Sequence, residues 1–390
     1  MTTSTSGDIV IVGGGVIGLS IAYALAREGL RPILLDRREP GREASWAGAG
    51  LIPPIADRTL NDGAPFNPLA ALRAWSSRLY PEWSAALQDE TGIDPGYRRT
   101  GGVDVAWTQR EDDALHAAAG QWRAEGIAWE RIPPGDYARV EPALNPELSS
   151  VYFLPDRAQV RNPRLLAALK AAVVRRGAVL EGHRAVLGFT LDGGRVAAVR
   201  TESGEISCGR AIVAAGAWSG GLLELAGVRA PTPPIKGQIV LLHAERPLLR
   251  RVVEHGKNYL VPRDDGRILV GATEEDAGFD TRPTAAGARD LLDEAIRLCP
   301  ALGEAAIETT WAGLRPGSVD GRPYIGIAPE VENLIIAAGH RRAGLQLAPG
   351  TAELVVDLVM GRAPRLDLAP FRPDRSPTPE EPAADDAFRS

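Results

Sequence analysis

The sequence predicts an α/β fold in two lobes, and three observations lead there. From Asp8 the chain reads as an apolar run (Ile9 to Val12), a glycine-rich turn, a helical pattern to about Glu28 stopped by Gly29, and a second apolar run from Pro32 to Leu35; this order is a βαβ unit. Between Arg161 and Gly216 the same grammar returns, with a helix from Pro163 to Arg176, short strands near Ala178 and Val186, a turn at Asp192-Gly193-Gly194 and a buried-looking strand from Ala211 to Ala215. Between Pro231 and Ala272 strands follow one another closely, at Ile239 to Leu242, Tyr259 to Val261 and Ile268 to Val270, which predicts a separate sheet.

The remaining elements fit around these. Leu69, Leu72, Trp75, Leu79, Trp83 and Leu87 recur at helical spacing and predict a helix over Asn67 to Glu90. A glycine-led strand is expected from Gly101 to Trp107, a helix near Glu111 to Glu125, and another from Ala286 to Leu298. The last elements are a strand at Leu334 to Ala338, a glycine-containing loop, and a helix from about Pro349 to Met360, with Pro349 suited to a first helical turn. After Gly361 the composition turns to Pro, Asp, Glu and Arg, with Pro373, Pro377, Pro379 and Pro382 close together, so a largely disordered tail is expected there. No internal repeat is visible.

Composition narrows the function classes. With 390 residues and 44% hydrophobic content, the chain has material for two packed domains. Its 44 basic and 50 acidic residues are interspersed, and a net charge of -6 offers no positive strip for a phosphate backbone, so nucleic acid is not expected as a partner. Cys208 and Cys299 lie in neither a Cys-x-x-Cys pair nor a histidine-rich stretch, which argues against disulfide frameworks and zinc sites and fits a reducing cytoplasm. His116, His183, His243 and His255 show no metal-ligand spacing, and no Gly-x-Ser-x-Gly elbow is present, so neither metal nor hydrolase chemistry is expected. Met1 to Gly7 carry no secretory pattern, and no run approaches the ~18 apolar residues of a membrane span.

The glycine turn is the first functional signal. Gly13-Gly14-Gly15-Val16-Ile17-Gly18 supplies a G-x-G-x-x-G pattern between strand and helix. Gly13 permits the tight turn, Gly15 lets backbone approach a pyrophosphate, and Gly18 lets helix and strand pack closely, which is the Rossmann-like arrangement. The helix N-terminus would face the diphosphate with free N–H groups. Asp36 closes the second strand where a carboxylate can accept from an adenosine ribose, and it would repel the 2′-phosphate that Arg37 and Arg38 could otherwise suggest. The plainer reading is a tight turn with Asp36 as a solvated strand end.

Downstream, Glu43-Ala44-Ser45-Trp46-Ala47-Gly48-Ala49-Gly50-Leu51 is nearly free of bulk, so backbone and ligand can come close. Together with Pro234-Ile235-Lys236-Gly237-Gln238, Tyr259-Leu260-Val261-Pro262-Arg263, Trp311-Ala312-Gly313-Leu314-Arg315-Pro316, Asp320-Gly321-Arg322-Pro323-Tyr324-Ile325-Gly326 and Ala338-Gly339-His340-Arg341-Arg342-Ala343-Gly344, it resembles the D-amino-acid oxidase superfamily. Within that superfamily the fine pattern is similar to the glycine oxidases of thiamin biosynthesis, from about residue 8 to 375.

That resemblance implies a Rossmann-like FAD-binding domain and a substrate domain with a mixed, largely antiparallel sheet. The FAD domain would be discontinuous (1–75, 150–215 and 310–365), the substrate domain would take 76–149 and 216–309, and 366–390 would be the tail. FAD would be held without a covalent bond by Gly13, Gly15, Val16, Ile17, Gly18, Asp36, Arg37, Ala44, Ser45, Ala49, Gly50 and Leu51, by Val160 at the adenine, and by His340, Arg341, Arg342, Ala343, Gly344, Leu345 and Gln346. The implied reaction is oxidative deamination of glycine or a similar small amino acid (sarcosine, D-alanine, D-proline) by hydride transfer to the flavin. Oxygen would be reduced to peroxide, glycine would yield glyoxylate and ammonia, and the thiamin thiazole pathway would be supplied. A dehydrogenase with another acceptor, or a non-catalytic or electron-transfer FAD subunit, would share nearly all these motifs, and the glycine fingerprint taken alone would also admit an NAD-linked dehydrogenase. A cytoplasmic homo-oligomer, a tetramer in the family, is also implied.

Three residues are expected to carry the chemistry. A guanidinium is the best clamp for a carboxylate, because its planar fork makes two parallel charge-assisted bonds, and by resemblance Arg315 is that clamp; otherwise it is a surface or ion-paired arginine. Tyr259 would reach the same carboxylate or else bond to backbone. Arg342 matches an arginine beside the flavin and the substrate entrance. Two positions depart from the family: Arg341 replaces an aromatic residue, and Glu274 replaces an apolar one near the substrate. Glu274 is expected to point to solvent or to shift preference among small amines.

Overall fold

The structure, a computed structural model, describes residues 5–54 and 67–376. Its framework is two eight-stranded sheets, and the expected α/β architecture is observed. In the first sheet, strand Thr5–Val12 sits centrally, parallel to Ile33–Leu35 on one side and to Gly204–Val213 on the other. Val179–Glu181 and Val331–Ala338 extend the parallel core outward. Ile9 to Val12 are buried on both faces, as an uninterrupted apolar run in a covered parallel sheet must be. Helix Val16–Arg27 is buried from Val16 through Ala26, because helices Gly344–Met360 and Asn162–Arg175 pack over it. The Asp192-Gly193-Gly194 turn closes an antiparallel hairpin between Val186–Asp192 and Arg195–Thr201.

The second sheet is antiparallel apart from one parallel pair, Val252–His255 beside Gly102–Ala106. Its members include Ser150–Leu154 and Ala306–Pro316. By sheet membership, therefore, the crossing points between lobes fall after Leu154 and after Pro316, rather than at the expected residues 150 and 310. Helix Pro68–Thr91 packs on Gly344–Met360 and so stays with the first sheet well past residue 75. A two-stranded ribbon, Leu51–Ile52 with Ala158–Gln159, lies outside both sheets.

Local chemistry sets the helix ends. The Asn67 side chain caps Pro68–Thr91 by accepting from the Ala70 N–H at 3.1 Å, with Pro68 at the first position. Helix Gln109–Glu125 starts ahead of Glu111, because Thr108 and Glu111 form a capping box.

The last helix departs most from expectation. It spans Gly344–Met360, so Pro349 lies inside it rather than in its first turn. An interior proline lacks the N–H that the carbonyl four residues back would use. Here the Tyr80 hydroxyl donates to the Leu345 carbonyl instead. The Ser76 hydroxyl donates to the Gln346 carbonyl at 2.7 Å and accepts from the Gly350 N–H at 2.9 Å. Helix Pro68–Thr91 thus completes the broken ladder of its neighbour.

The described residues from Leu366 to Arg375, expected as tail, pack as part of the fold. Leu366 and Phe371 are buried, and Arg375 donates to both Asp320 carboxylate oxygens, at 2.8 and 2.7 Å, and lies over the Tyr324 ring. The Asp320-to-Tyr324 motif is thereby the clasp of the C-terminal segment. Pro377, Pro379 and Pro382 fall outside the described residues.

Charge is also buried in the second sheet. Asp104 and Glu254 are register partners on the parallel strands, and Arg157 bridges them, bidentate to Asp104 at 2.7 and 3.0 Å and 3.3 Å from Glu254. Near the helices, His255 Nδ1 lies 2.7 Å from Glu294 and its Nε2 lies 3.4 Å from Glu111.

Two outcomes are expected. Ser76→Ala removes the partner of the Gln346 carbonyl and the Gly350 N–H, and urea unfolding should show a loss of about 1–3 kcal/mol. For His255, burial disfavours the cation, but Glu294 and Glu111 outweigh it and raise the imidazole above its ordinary value. A raised folded-state pKa contributes stability that is full below the unfolded value of about 6.5 and is lost as pH rises through the folded one. The thermal midpoint of His255→Gln should therefore fall further below wild type at pH 6 than at pH 9.

Candidate active site

Between the two sheets runs a cavity of about 530 Å³. Its floor is the glycine turn. Gly13 has φ +108°, and a Cβ there would lie 2.5 Å from the Ala214 carbonyl oxygen. At Gly18 a Cβ would fall 1.9 Å from the Gly13 oxygen, so helix and strand can meet only without a side chain. Gly15 caps Val16–Arg27 with no side-chain acceptor, and this helix start opens into the cavity. A second helix start does the same: Gly344–Met360 has no side-chain cap either, and Gly344, Leu345 and Gln346 form cavity wall. Two helix N-termini whose own N-cap residues supply no side-chain acceptor therefore point their partial positive charge into one space, with the Val16 N–H donating to Ser45 Oγ at 2.9 Å.

Asp36 lies at one end. It accepts from the Gly14 N–H at 2.7 Å and the Arg38 N–H at 2.8 Å, while burial pushes its carboxyl above the ordinary range. Arg37 stacks on Trp218, 3.6 Å from the ring centroid, and pairs with Glu43 at 3.0 Å. The adjacent wall is Arg184, Ala185 and Val186, and the Arg184 N–H bonds to the Asp36 carbonyl at 2.8 Å.

The low-bulk segment forms a short helix, Glu43–Ala47, and a loop, and three side chains to which the sequence assigned no role, two of them within the quoted motifs, hold it in place. Asn162 Nδ2 donates to the Ser45 and Gly48 carbonyls at 3.0 and 2.6 Å. Arg263 donates to the Ala49 carbonyl at 2.7 Å. The Trp311 indole donates to the Ala47 carbonyl at 3.0 Å. Gly313 is needed here, since a Cβ would lie 2.6 Å from that of Ala47.

Opposite this segment, the second sheet presents Arg315 and Tyr259. Gly237 leaves room for the guanidinium, whose Nη2 would be 2.4 Å from a Cβ at that position, and Gly271 does the same for the Tyr259 hydroxyl, at 2.6 Å. Arg315 is partly buried and donates to the Thr273 carbonyl at 3.1 Å; Tyr259 is hydrogen-bonded to it. Burial pulls its pKa down, and no carboxylate among the described residues forms an ion pair with it. Lys236 and Gln238 support this wall from behind. Lys236 pairs with Glu275 at 3.2 Å, and Gln238 bonds to Glu275 and Thr284 at 2.6 and 3.1 Å.

The loop between the lobes carries His340, Arg341 and Arg342. His340 is buried, bonded to Thr351 at 3.1 Å, and held neutral by burial, with its pKa pushed down to about 3; it is a packing residue and not a base. Arg341 adopts φ 44°. Glu274 neither points freely to solvent nor forms part of the cavity wall. Its carboxylate bonds to Arg342 and lies 3.8 Å from Arg341. Burial would raise Glu274, but Arg342, Arg315 and Arg341 outweigh it and keep the carboxyl below its usual range.

Most residues singled out from sequence thus meet in one space. Gly13, Gly15, Val16, Ile17, Asp36, Arg37, Ala44, Ser45, Ala49, Gly50, Leu51, Tyr259, Arg315 and the run from His340 to Gln346 all line the cavity. Gly18 acts one layer back. Val160 lies outside the cavity wall, fully buried, with its N–H on the Gly50 carbonyl and its carbonyl receiving Arg263. It braces the loop, and the wall beside Asp36 is made by Arg184 to Val186 instead. Trp218, Glu254 and Lys257 also line the cavity and carried no motif signal. The donor set fits FAD: a side-chain-free helix start for a diphosphate, a carboxylate beside it, and a second helix start at the far end.

Comparison with known proteins agrees with this geometry. The chain is 38% identical to the glycine oxidase of Pseudomonas putida, covering 95% of this chain and 99% of the relative. It is 40% identical to that of Pseudomonas aeruginosa, covering 94% and 98%. The solved glycine oxidase of Geobacillus kaustophilus superposes with a TM-score of 0.90 at 34% identity, covering 96% of this chain and 100% of that one. Residues 8–358 match the family described as DAO, FAD dependent oxidoreductase. With that match over most of its length and the cofactor cavity it encloses, the chain belongs to the DAO family of FAD-dependent oxidoreductases.

Proposed function

We propose that the protein oxidises glycine or a similarly small amino acid, such as sarcosine, D-alanine or D-proline, with oxygen as the final acceptor. The observation that carries this reading is Arg315, a recessed guanidinium on the cavity wall with no carboxylate in ion-pair contact among the described residues. A desolvated cation is costly unless paired, so the recess suits an anionic ligand, and an α-carboxylate is the complement of its fork. That relatives with this chain's full length are named glycine oxidase supports the small-substrate reading.

Gly13, Gly15, Val16 and Ile17 would hold the diphosphate of FAD, Asp36, Arg37 and Arg184 to Val186 the adenosine end, and Ala44, Ser45, Ala49 to Leu51 and His340 to Gln346 the flavin. When bound, FAD supplies the two-electron acceptor. The chain's own residues position the substrate. Arg315 takes the carboxylate in two bonds and Tyr259 adds a third from its hydroxyl. The sheet behind them fixes the direction in which the α-carbon faces. His340, held neutral, takes no proton. A cytoplasmic homo-oligomer feeding the thiamin thiazole pathway belongs to the same reading, with both cysteines free.

Purified holoenzyme titrated anaerobically with glycine, sarcosine, D-alanine and D-proline should lose its flavin absorbance with at least one of them, and in air should release peroxide in step with turnover. Bleaching by none of the four overturns the proposal, and bleaching without peroxide makes the protein a dehydrogenase. Arg315→Ala should raise KM roughly a hundredfold, the value of two charge-assisted bonds, while flavin content is retained. An unaltered KM would remove Arg315 from the site.

A further inference from the structure

The carboxylate at position 274 has no part in binding an α-carboxylate, yet it is built into the same short segment. Thr273 gives its carbonyl to Arg315 at 3.1 Å, and the next residue sends its side chain across to Arg342 on the other lobe. Arg342 lines the cavity, and its charge acts on Arg315 closely enough to depress the Arg315 pKa. Of the guanidiniums on the cavity wall, Arg315 and Arg342 together would draw a ligand with two acid groups, one on each. Glu274 already occupies the second. Its side chain is 28% exposed, and the surrounding arginines keep it ionised at neutral pH.

Building on the Arg315 reading above, we propose that Glu274 is a specificity-determining residue that restricts the cavity to amino acids with a single carboxylate. It does so by two effects of the same sign. It accepts a hydrogen bond from Arg342 Nη2, and its negative charge repels a second acid group brought to the same place. Sarcosine, whose nitrogen carries a methyl group, is admitted. Iminodiacetate, in which that methyl becomes a carboxymethyl, meets Glu274 instead of a free guanidinium. Among the cations on the cavity wall, Lys257 is exposed, Arg37 and Arg184 pair with Glu43 and Glu181, and Arg342 is the one whose charge acts on Arg315, so a substituent reaching past Arg315 would find it.

The test uses holoenzyme and two non-oxidisable ligands, methoxyacetate and diglycolate, the oxygen analogues of sarcosine and iminodiacetate, with binding read as a shift in the flavin spectrum. Wild type should prefer methoxyacetate. Glu274→Gln should move the ratio of dissociation constants toward diglycolate by roughly tenfold or more, and adding Arg342→Gln should abolish that gain. The kcat/KM ratio of iminodiacetate to sarcosine should move in the same direction, through KM. Should Glu274→Gln lose flavin, Glu274→Leu, equally uncharged, is read in the same way. A ratio that does not change overturns the role of Glu274 alone, as does a gain that survives in the double variant. Failure of methoxyacetate to bind wild type, with flavin left oxidised by sarcosine, sinks the Arg315 reading and this inference with it.

Discussion

A guanidinium held in a recess without a paired carboxylate is the constraint around which this molecule is arranged. Desolvation opposes the charge of Arg315, and the protein offsets it in part with the Thr273 and Lys236 carbonyls, the Tyr259 hydroxyl and the more distant charge of Glu274. A site of this kind is unfinished by itself, since it has donors to spare and no anion to receive them. The second sheet exists in its present form to tolerate it. Gly237 and Gly271 are bare where a methyl group would strike Arg315 or Tyr259, and Lys236 and Gln238 tie the same strand to Glu275 and the start of helix Ala285–Leu298.

The opposite wall follows a different logic, in which backbone and not side chain does the recognising. Helix starts at Val16 and Gly344 supply N–H groups and partial charge, and the segment from Glu43 to Leu51 is small enough to lie against a ligand. Because such a segment has little core of its own, it is held from outside by Asn162, Arg263 and Trp311, drawn from both lobes. The proline inside helix Gly344–Met360 is tolerated for a related reason. Ser76 and Tyr80 of the neighbouring helix complete the ladder beside Gln346, at the end of the helix that faces the cavity. Cofactor cavity and helix packing are thus one construction.

Much of this was legible in the amino-acid order. Helical and strand periodicities located the long helices and the central strands, though not Ser150–Leu154, Val252–His255 or Ala306–Pro316, because burial on one face of a helix or both faces of a parallel strand leaves a pattern in the residues themselves. The glycine turn, Asp36 and the run after His340 were readable for the same reason, since a bare backbone and a helix start are local features. Errors came where a distant group decides. Pro349 reads as a helix start unless Ser76 and Tyr80 are known to stand beside it. The segment to Arg375 reads as tail unless Asp320 is known to receive that arginine.

By itself, then, the sequence determined the α/β class and the dinucleotide turn, because each depends on neighbours a few residues apart. Only the tertiary structure decided that Arg315 has no ion pair among the described residues while Arg342 is taken by Glu274, and that Asp104, Arg157 and Glu254 share a buried network. Whether a charge is free or satisfied depends on groups separated by tens to hundreds of positions, and no periodicity records which of them the fold brings together.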